Sequence, residues 1–255
     1  MQSHSETVKL YLKHFRLPAM SEHLENTIAM AERDNWSYNA FLEALCEQED
    51  NQRKSRKLQS LLKRSRLPEG KTLATLNDEF LSLNARRLLP SFLEGHFVDR
   101  CENILAFGLP GRGKTHYLAA IAHELILQHQ KSVLFTPTFK LIQRLLTAKH
   151  ENRLEKELKK LDTFDVIVID DIGYVQHTRE EMETFFIFLA ERYERRSLMI
   201  SSNLTFSQWD KIFGDPMTAM AAVDRLVHHS VILEFDGKSI REQVAKKRQE
   251  IRQKS

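Results

Sequence analysis

The chain has 255 residues, 42% of them hydrophobic and 29% charged, with a formal net charge of +3. This composition predicts a soluble globular protein with one α/β domain and a smaller helical domain, and it excludes a disordered or fibrous chain. The two cysteines, Cys46 and Cys101, are far apart, which argues against a disulfide framework or a thiolate metal site. The mild positive charge does not by itself identify a nucleic-acid-binding protein.

The apolar runs of the sequence are too short to cross a membrane. Two of the longest, residues 165–172 and 197–200, have the length of strands, whereas a bilayer requires about 20 apolar residues. Residues 1–6 show no basic segment leading into an apolar run, so we expect no secretory signal. These features predict a cytoplasmic protein without membrane contact.

Residues 1–66 show the apolar spacing of amphipathic helices and contain no glycine. Pro18 and Pro68 are predicted to end the first and third of these helices. We therefore predict a small all-helical domain over residues 1–68, which binds DNA or a partner or mediates oligomerisation. A second domain is predicted over residues 69–255.

A basic segment lies near the end of the helical domain, next to an acidic stretch that ends at Asp50. Such a run is usually a solvated helix face. It can also neutralise nucleic-acid phosphates through counterion release, which gives sequence-tolerant and salt-sensitive binding. No aromatic residue interrupts the segment, which argues against stacking on single strands. Its basic residues are Arg53, Lys54, Arg56, Lys57, Lys63, Arg64 and Arg66.

After a bridging segment over residues 73–98, short apolar runs alternate with amphipathic helices. This alternation predicts an α/β fold in which a parallel sheet is flanked by helices. Two of the helices begin with predicted capping boxes, at residues 178–181 and 205–208. The predicted strands are 103–107, 132–136, 166–170, 198–201 and 231–235.

The pattern G-x-x-x-x-G-K-[ST] follows the first predicted strand and opens a helix. In this context the backbone N–H groups and the helix N-terminus face phosphate oxygens. Lys114 is predicted to reach the β- and γ-phosphates of ATP, and Thr115 to ligate Mg²⁺. The alternative is a chance match in a strand-to-helix turn. The expected nucleotide-binding residues are Gly108, Leu109, Pro110, Gly111, Arg112, Gly113, Lys114, Thr115 and His116.

Two carboxylates, Asp170 and Asp171, follow the third predicted strand. The carboxyl ends of parallel strands line the ligand cleft of such folds. We expect Asp170 to hold Mg²⁺, directly or through water, and Asp171 to polarise the water that attacks the γ-phosphate. The alternative for Asp171 is a solvated turn residue or a helix cap.

Three polar features follow along the chain. Asn203, after the fourth strand, resembles the sensor 1 residue of AAA+ proteins, although strand ends often carry Asn as a turn residue. Arg225 matches the position of an arginine finger, which one subunit supplies to ATP on its neighbour; a salt bridge with Asp224 is the alternative. His228 and His229 are adjacent, and with no further ligand cluster expected nearby they argue against a metal site.

These motifs are similar to those of the IstB family of AAA+ ATPases, which is related to DnaC helicase loaders and DnaA initiators. The resemblance rests on residues 108–116, 168–174, 201–209 and 224–229. It implies an AAA+ P-loop NTPase with ATP and Mg²⁺ as cofactors, which oligomerises on duplex target DNA and presents that target to a cognate transposase or stimulates it. Asp171 stands where AAA+ ATPases more often carry Glu, so slow hydrolysis, stimulated by DNA or a partner, is expected.

The resemblance also points to a second DNA-binding surface. Initiator-type relatives place a DNA-contacting helical insertion between the second and third strands, where this chain has a predicted helical pair over residues 138–161. Residues 246–248 form a third basic cluster, and Arg241 is a candidate phosphate sensor. The basic residues of the helical pair are Lys149, Arg153, Lys156, Lys159 and Lys160.

Three other functions are compatible with these motifs. A DnaC-like replicative helicase loader shares the same ATPase core. Asp171 in place of Glu also fits a nucleotide-switched adaptor that scarcely hydrolyses ATP. A small-molecule kinase is a further alternative for a P-loop, although the sequence indicates no acceptor pocket or lid.

Overall fold

The computed structural model describes residues 2–173, 178–204, 208 and 224–236. Contacts between residues divide the chain into two compact units, Met1–Ser60 and Leu61–Ser255. The described part of the first unit is helical, and the second unit combines strands with helices.

The first unit consists of α1 (Gln2–His14), α2 (Pro18–Arg33) and most of α3 (Tyr38–Ser65), which continues into the second unit. Pro18 lies in the first turn of α2 instead of ending α1. A proline is tolerated there because the first N–H groups of a helix have no intrahelical partner. The predicted domain boundary at residue 68 follows the end of α3 by three residues.

A buried carboxylate of α3 caps the start of α2. Leu17, the N-cap residue of α2, provides no side-chain acceptor. Glu49, which is 4% exposed, accepts hydrogen bonds from the N–H groups of Ala19 (2.8 Å) and Met20 (3.3 Å). Its other oxygen accepts from Arg53 Nε at 2.8 Å. The charge of Glu49 thus stabilises the positive end of α2 and is itself balanced by Arg53.

The second unit begins with helical segments and then follows the predicted alternation of strands and helices. All five predicted strands are present, each within two residues of its predicted bounds. The elements are α4 (Leu83–Leu93), α5 (His96–Asp99), β1 (Asn103–Phe107), α6 (Lys114–His129), β2 (Val133–Pro137), α7 (Thr138–His150), α8 (Leu154–Asp162), β3 (Val166–Ile172), α9 (Arg179–Arg192), β4 (Ser197–Ser202), a helical turn over residues 224–228, and β5 (Ser230–Glu234).

The predicted capping box at the start of α9 is present. The Thr178 hydroxyl accepts from the N–H of Glu181, and the Glu181 carboxylate accepts from the N–H of Thr178. The second predicted box, at residues 205–208, lies outside the described residues except for Gln208. None of the described helices is long and apolar enough to span a bilayer.

The five strands form one parallel sheet in the order β2-β3-β4-β1-β5. Every residue of β1 is buried, as expected of a central strand covered by helices on both faces. From α6, the buried Tyr117 hydroxyl donates to the carbonyl of Ala85 at 2.7 Å, and burial raises the pKa of this phenol above its ordinary value. The predicted α/β fold is confirmed.

The sheet brings the ends of β1, β3 and β4 to one edge. Phe107 pairs with Ser202, and so does Ile172. The register between β3 and β4 shifts between Ile169 and Ile172, and Asp171 within this shift has a left-handed φ of 65°. This irregularity re-aims the side chains that follow Ile169. The polar residues at the ends of these three strands therefore lie side by side.

Candidate functional site

The loop between β1 and α6 has the backbone conformation that the glycine pattern predicts. Gly108, Gly111 and Gly113 all have positive φ, at 146°, 81° and 92°. A Cβ atom at Gly108 would lie 2.4 Å from the carbonyl oxygen of Phe235, so no side chain fits there. Gly113 is the N-cap of α6, and because it has no side-chain acceptor, the start of α6 is open to an anion.

Lys114 is buried at the start of α6, with 5% exposure. Its Nζ donates to the carbonyls of Gly108 (2.5 Å) and Leu109 (3.0 Å) and to Asn203 Oδ1 (2.7 Å). The ammonium therefore joins the loop to the residue that follows β4. In this position it lies inside the curve of the loop, where a phosphate oxygen can replace the carbonyls as its acceptor.

Asp170 and Thr115, the two predicted Mg²⁺ ligands, are in direct contact. Thr115 Oγ1 donates to Asp170 Oδ1 at 2.8 Å. Ser201 Oγ donates to the same oxygen at 2.7 Å. A carboxylate and a hydroxyl oxygen at one point are suitable ligands for Mg²⁺, which binds proteins through few oxygen ligands and keeps several waters.

Asn203 connects the lysine to the second carboxylate. Its Oδ1 accepts from Lys114, and its Nδ2 donates to Asp171 Oδ1. The two partners fix the orientation of the amide, with oxygen toward the cation and nitrogen toward the anion. The Asp171 N–H donates to Ser201 Oγ at 2.8 Å, which holds the left-handed residue in place. The predicted catalytic residues of this edge thus form one hydrogen-bonded network.

Ser201 is a member of this network that sequence reasoning missed. It bonds to both aspartates, as donor to Asp170 and as acceptor from Asp171. The signal available in the sequence was its position two residues before Asn203, since residues i and i+2 of a strand share one face. That signal identifies a face but not the neighbouring strand.

Two predicted nucleotide-binding residues bond to segments beside the loop. Arg112 Nη1 donates to the carbonyl of Phe235 at 3.0 Å and lies 3.5 Å from Asp236 Oδ1. His116 Nε2 lies 3.2 Å from the carbonyl of Thr72 and 3.1 Å from Thr75 Oγ1. Both side chains therefore attach the loop and α6 to neighbouring segments.

Arg225 lies at the opposite end of the sheet from the loop. The carbonyl of its neighbour Leu226 accepts from Asn103 Nδ2 at 3.4 Å, and Asn103 starts β1. The Arg225 guanidinium lies 5.1 Å from the ring centroid of Phe186. Within the described part of the chain it forms no ion pair with Asp224. The structure does not bring Arg225 to the nucleotide loop of its own chain.

The basic residues predicted to bind DNA differ in their surroundings. Arg53 pairs with the buried Glu49, and its Nη2 donates to the carbonyl of Arg16 at 2.9 Å. Arg64 lies over the ring of Phe164 at 5.4 Å. Two of the lysines form exposed i,i+4 ion pairs, Lys54 with Asp50 and Lys159 with Glu155, and such pairs are weak. Lys149 is partly exposed. The other predicted residues are exposed, namely Arg56, Lys57, Lys63, Arg66, Arg153, Lys156 and Lys160.

The sequence indicates no ligand cluster near His228 and His229, but one carboxylate lies beside them. The turn after α9 brings the carboxylate of Glu194 to within 3.1 Å of His229 Nε2. Residue 194 is far from the histidines in sequence, so local spacing gave no sign of it. Three other predicted features, the 205–209 signature apart from Gln208, Arg241 and the basic cluster 246–248, lie outside the described residues.

Comparison with known proteins finds a family of ATP-binding proteins. The model of the IstB-like ATP binding protein family matches residues 10–249. The ATP-binding protein of insertion sequence IS21 from Pseudomonas aeruginosa is 37% identical over 234 residues, which cover 92% of this chain and 88% of that protein.

Two solved structures share the fold of the second unit. DnaA from Aquifex aeolicus, bound to AMPPCP, has a TM-score of 0.57 and 18% identity over 72% of this chain and 56% of that one. The DnaC helicase loader has a TM-score of 0.56 and 18% identity over 66% of this chain and 98% of that one. At this identity the likeness establishes the AAA+ P-loop fold alone. The family match and the phosphate loop together identify this chain as an ATP-binding protein that belongs to the IstB-like family.

Proposed function

We propose that this chain is an ATP-dependent transposition helper. In this proposal it binds ATP with Mg²⁺, oligomerises on duplex target DNA, hydrolyses ATP slowly, and presents the target to a transposase or stimulates it. The relatives named for insertion sequences support the context. The observation that carries the ATPase part is the network that joins Thr115, Asp170, Asp171, Asn203 and Lys114 at one edge of the sheet.

The loop and α6 bind the triphosphate in this proposal. Lys114 Nζ exchanges its carbonyl acceptors for oxygens of the β- and γ-phosphates, and the N-terminus of α6 contributes its N–H groups. Thr115 and Asp170 hold Mg²⁺, which neutralises charge on the phosphate oxygens. Ser201 orients Asp170 through the 2.7 Å hydrogen bond between them.

Asp171 and Asn203 act on the attacking water. A carboxylate within hydrogen-bond reach of the water accepts its proton as the water oxygen bonds to the γ-phosphorus. The bond from the γ-phosphorus to the β–γ bridging oxygen breaks in the same reaction, and ADP is the leaving group. Asn203 holds both Asp171 and Lys114, so it ties the position of the base to the position of the phosphate-binding cation. Because Asp is one methylene shorter than the more usual Glu, we expect its reach to be short and hydrolysis to be slow.

Arg225 completes the site of a neighbouring subunit. It lies at the end of the sheet where β1 begins, not where the loop begins, so within one chain it cannot contact the bound ATP. A head-to-tail assembly places such an arginine against the next subunit's γ-phosphate. Hydrolysis then requires an oligomer, which couples ATP to assembly on DNA.

The experiment that tests this function measures binding of a long duplex DNA by filter retention, with and without ATP. We expect ATP to raise the affinity and to produce assemblies larger than a monomer, and DNA to accelerate phosphate release. ATP-independent binding by a monomer would contradict the proposal. Stable capture of a replicative helicase with no affinity for long duplex DNA would favour a DnaC-like loader instead.

A further inference from the structure

Three side chains of types that commonly ligate metal ions meet at the amino-terminal end of the sheet. Glu194 belongs to the turn between α9 and β4, and His228 and His229 end the helical turn before β5. One ligand atom from each of the three lies within 4.8 Å of the others. Among the residues that the structure describes, no other group of three His, Cys, Asp or Glu side chains meets in this way.

We propose that Glu194, His228 and His229 form a binding site for a divalent transition metal ion of the zinc class. Two imidazoles and one carboxylate suit Zn²⁺ and its first-row neighbours, whereas Mg²⁺ and Ca²⁺ prefer oxygen ligands alone. His229 Nε2 and Glu194 Oε1 are 3.1 Å apart, and the two imidazole ring centroids are 4.1 Å apart.

Tyr193 is hydrogen-bonded to one of the proposed ligands. Its hydroxyl lies 3.0 Å from His228 Nδ1, so it holds the orientation of that ring. Hydrogen-bonding partners of this kind commonly orient the imidazoles that bind metals, and their loss costs about 10–100-fold in metal affinity. The three ligands are exposed, which leaves remaining coordination positions to water or to a ligand from another molecule.

The ion joins two segments that are distant in sequence. One is the α9–β4 connection, and the other is the residue pair that leads into β5, the edge strand. The His229 carbonyl already accepts from the N–H of Asn103 at 2.7 Å, which fixes the start of this strand. A metal bridge to Glu194 adds a second attachment, so metal binding stabilises the folded state by mass action. The site is separate from the nucleotide loop, which lies at the carboxyl end of β1.

The test is a titration of the untagged, nucleotide-free full chain with Co²⁺ in the presence of millimolar Mg²⁺. We expect the visible absorption of a nitrogen-ligated Co²⁺ ion, displacement by Zn²⁺, and no displacement by Mg²⁺. The variants Glu194→Gln, His228→Gln and His229→Gln each remove one ligand and should weaken Co²⁺ binding by more than the roughly 10–100-fold expected from losing an outer partner. Tyr193→Phe should weaken it to a smaller extent.

Two control variants separate this site from others. His150→Gln disrupts a single exposed pair, His150 with Glu180, and Asp170→Asn alters the oxygen ligands of the nucleotide site; neither should change Co²⁺ binding. Zn²⁺ should raise the melting temperature of the wild type but not of Glu194→Gln, whose melting temperature without metal and affinity for ATP should match the wild type. Absence of Co²⁺ binding, or binding that survives all three ligand substitutions, would overturn the proposal.

Discussion

At the residue scale, the buried Lys114 ammonium connects the loop after β1 to Asn203. Gly108, Leu109 and Asn203 each accept a hydrogen bond from its Nζ, so the cation holds the loop against the residue that follows β4. Hydrogen bonds to a charged group contribute about 1.5–3 kcal/mol. In the proposed function this charge binds the triphosphate together with the N–H groups of the loop.

We predict that Lys114→Ala weakens ATP binding by about 10–100-fold, which corresponds to the loss of one charged hydrogen bond. The measurement is the anisotropy of a fluorescent ATP analogue titrated with protein. Lys131→Ala, which removes a lysine from a surface pair with Asp99, serves as the control and should bind like the wild type. Unchanged affinity and unchanged assembly on DNA in Lys114→Ala would contradict the assignment of the loop.

Ser201 positions Asp170 and Asp171 through hydrogen bonds. Substitutions can test this role separately from the size of the side chain. Ser201→Ala removes the donor to Asp170 and the hydroxyl that accepts from the partly buried N–H of Asp171. We predict a loss of about 1–3 kcal/mol in the free energy of unfolding, measured by urea denaturation, together with weaker Mg²⁺ dependence of ATP binding. Ser201→Thr keeps the hydroxyl and should restore most of both.

A serine at the other end of β4 provides the comparison. Ser197 Oγ makes a long 3.5 Å hydrogen bond to the carbonyl of Phe97, so Ser197→Ala should cost less than Ser201→Ala and leave Mg²⁺ dependence unchanged. Equal effects of the two alanine variants would show that Ser201 acts only through general packing of the strand.

At the scale of elements, α2 depends on a charge supplied by α3. Burial by itself raises the pKa of Glu49, but the hydrogen bonds from Arg53, Met20 and Ala19 and the Arg53 charge together lower it below 4.5. A carboxyl group whose pKa is lowered by folding stabilises the native state above its unfolded pKa. That stabilisation disappears as the pH falls through the lowered value.

We therefore predict that the protection of the Ala19 and Met20 amides against hydrogen exchange falls as the pH drops below about 4.5, after correction for the intrinsic exchange rate. Glu49→Gln should show lower protection at neutral pH, by about 1.5–3 kcal/mol, and little further change on acidification. The paired variant Glu25→Gln alters an exposed carboxylate of α2 and should follow the wild type. A Glu49→Gln profile that still declines below this pH would assign the effect to another group.

The basic residues of α3 differ in whether they pair with a neighbouring carboxylate. Arg53 is exposed but pairs with the buried Glu49. Lys57 and Lys63 are also exposed, and no ion pair is seen for them within the described ranges. We predict that the double variant Lys57→Gln, Lys63→Gln weakens duplex binding and lowers the slope of log affinity against log salt by about 2, since each phosphate contact contributes about 1. Lys9→Gln with Lys13→Gln makes the same charge change on α1. An equal loss in that control would indicate a general charge effect.

The elements that could be predicted from the sequence are those with a local signal. The five strands follow from apolar runs between helices, and the loop follows from its glycines. The strand order could not be predicted, because crossover connections of similar length allow several orders. The contact of Lys114 with Asn203 depends on β1 lying beside β4. The register shift in β3 was also missed, since a single residue in a left-handed conformation leaves no periodic pattern.

At the scale of the whole molecule, the nucleotide loop and Arg225 lie at opposite ends of one sheet. A single chain therefore carries one half of each of two composite sites in the proposed assembly. In a head-to-tail arrangement every interface joins the loop of one subunit to the arginine of the next. A variant that lacks one half of the site can then be complemented by a variant that lacks the other half.

We predict that Asp171→Asn and Arg225→Ala each retain ATP binding but lose DNA-stimulated phosphate release, by about 100-fold or more. Mixing the two inactive proteins in equal amounts should restore activity, because an Arg225→Ala subunit has an intact base and an Asp171→Asn neighbour has an intact arginine. About one interface in four pairs them productively in a random head-to-tail assembly. A mixture that stays inactive, while both variants still assemble on DNA, would show that Arg225 acts within its own chain through the contact with Phe186.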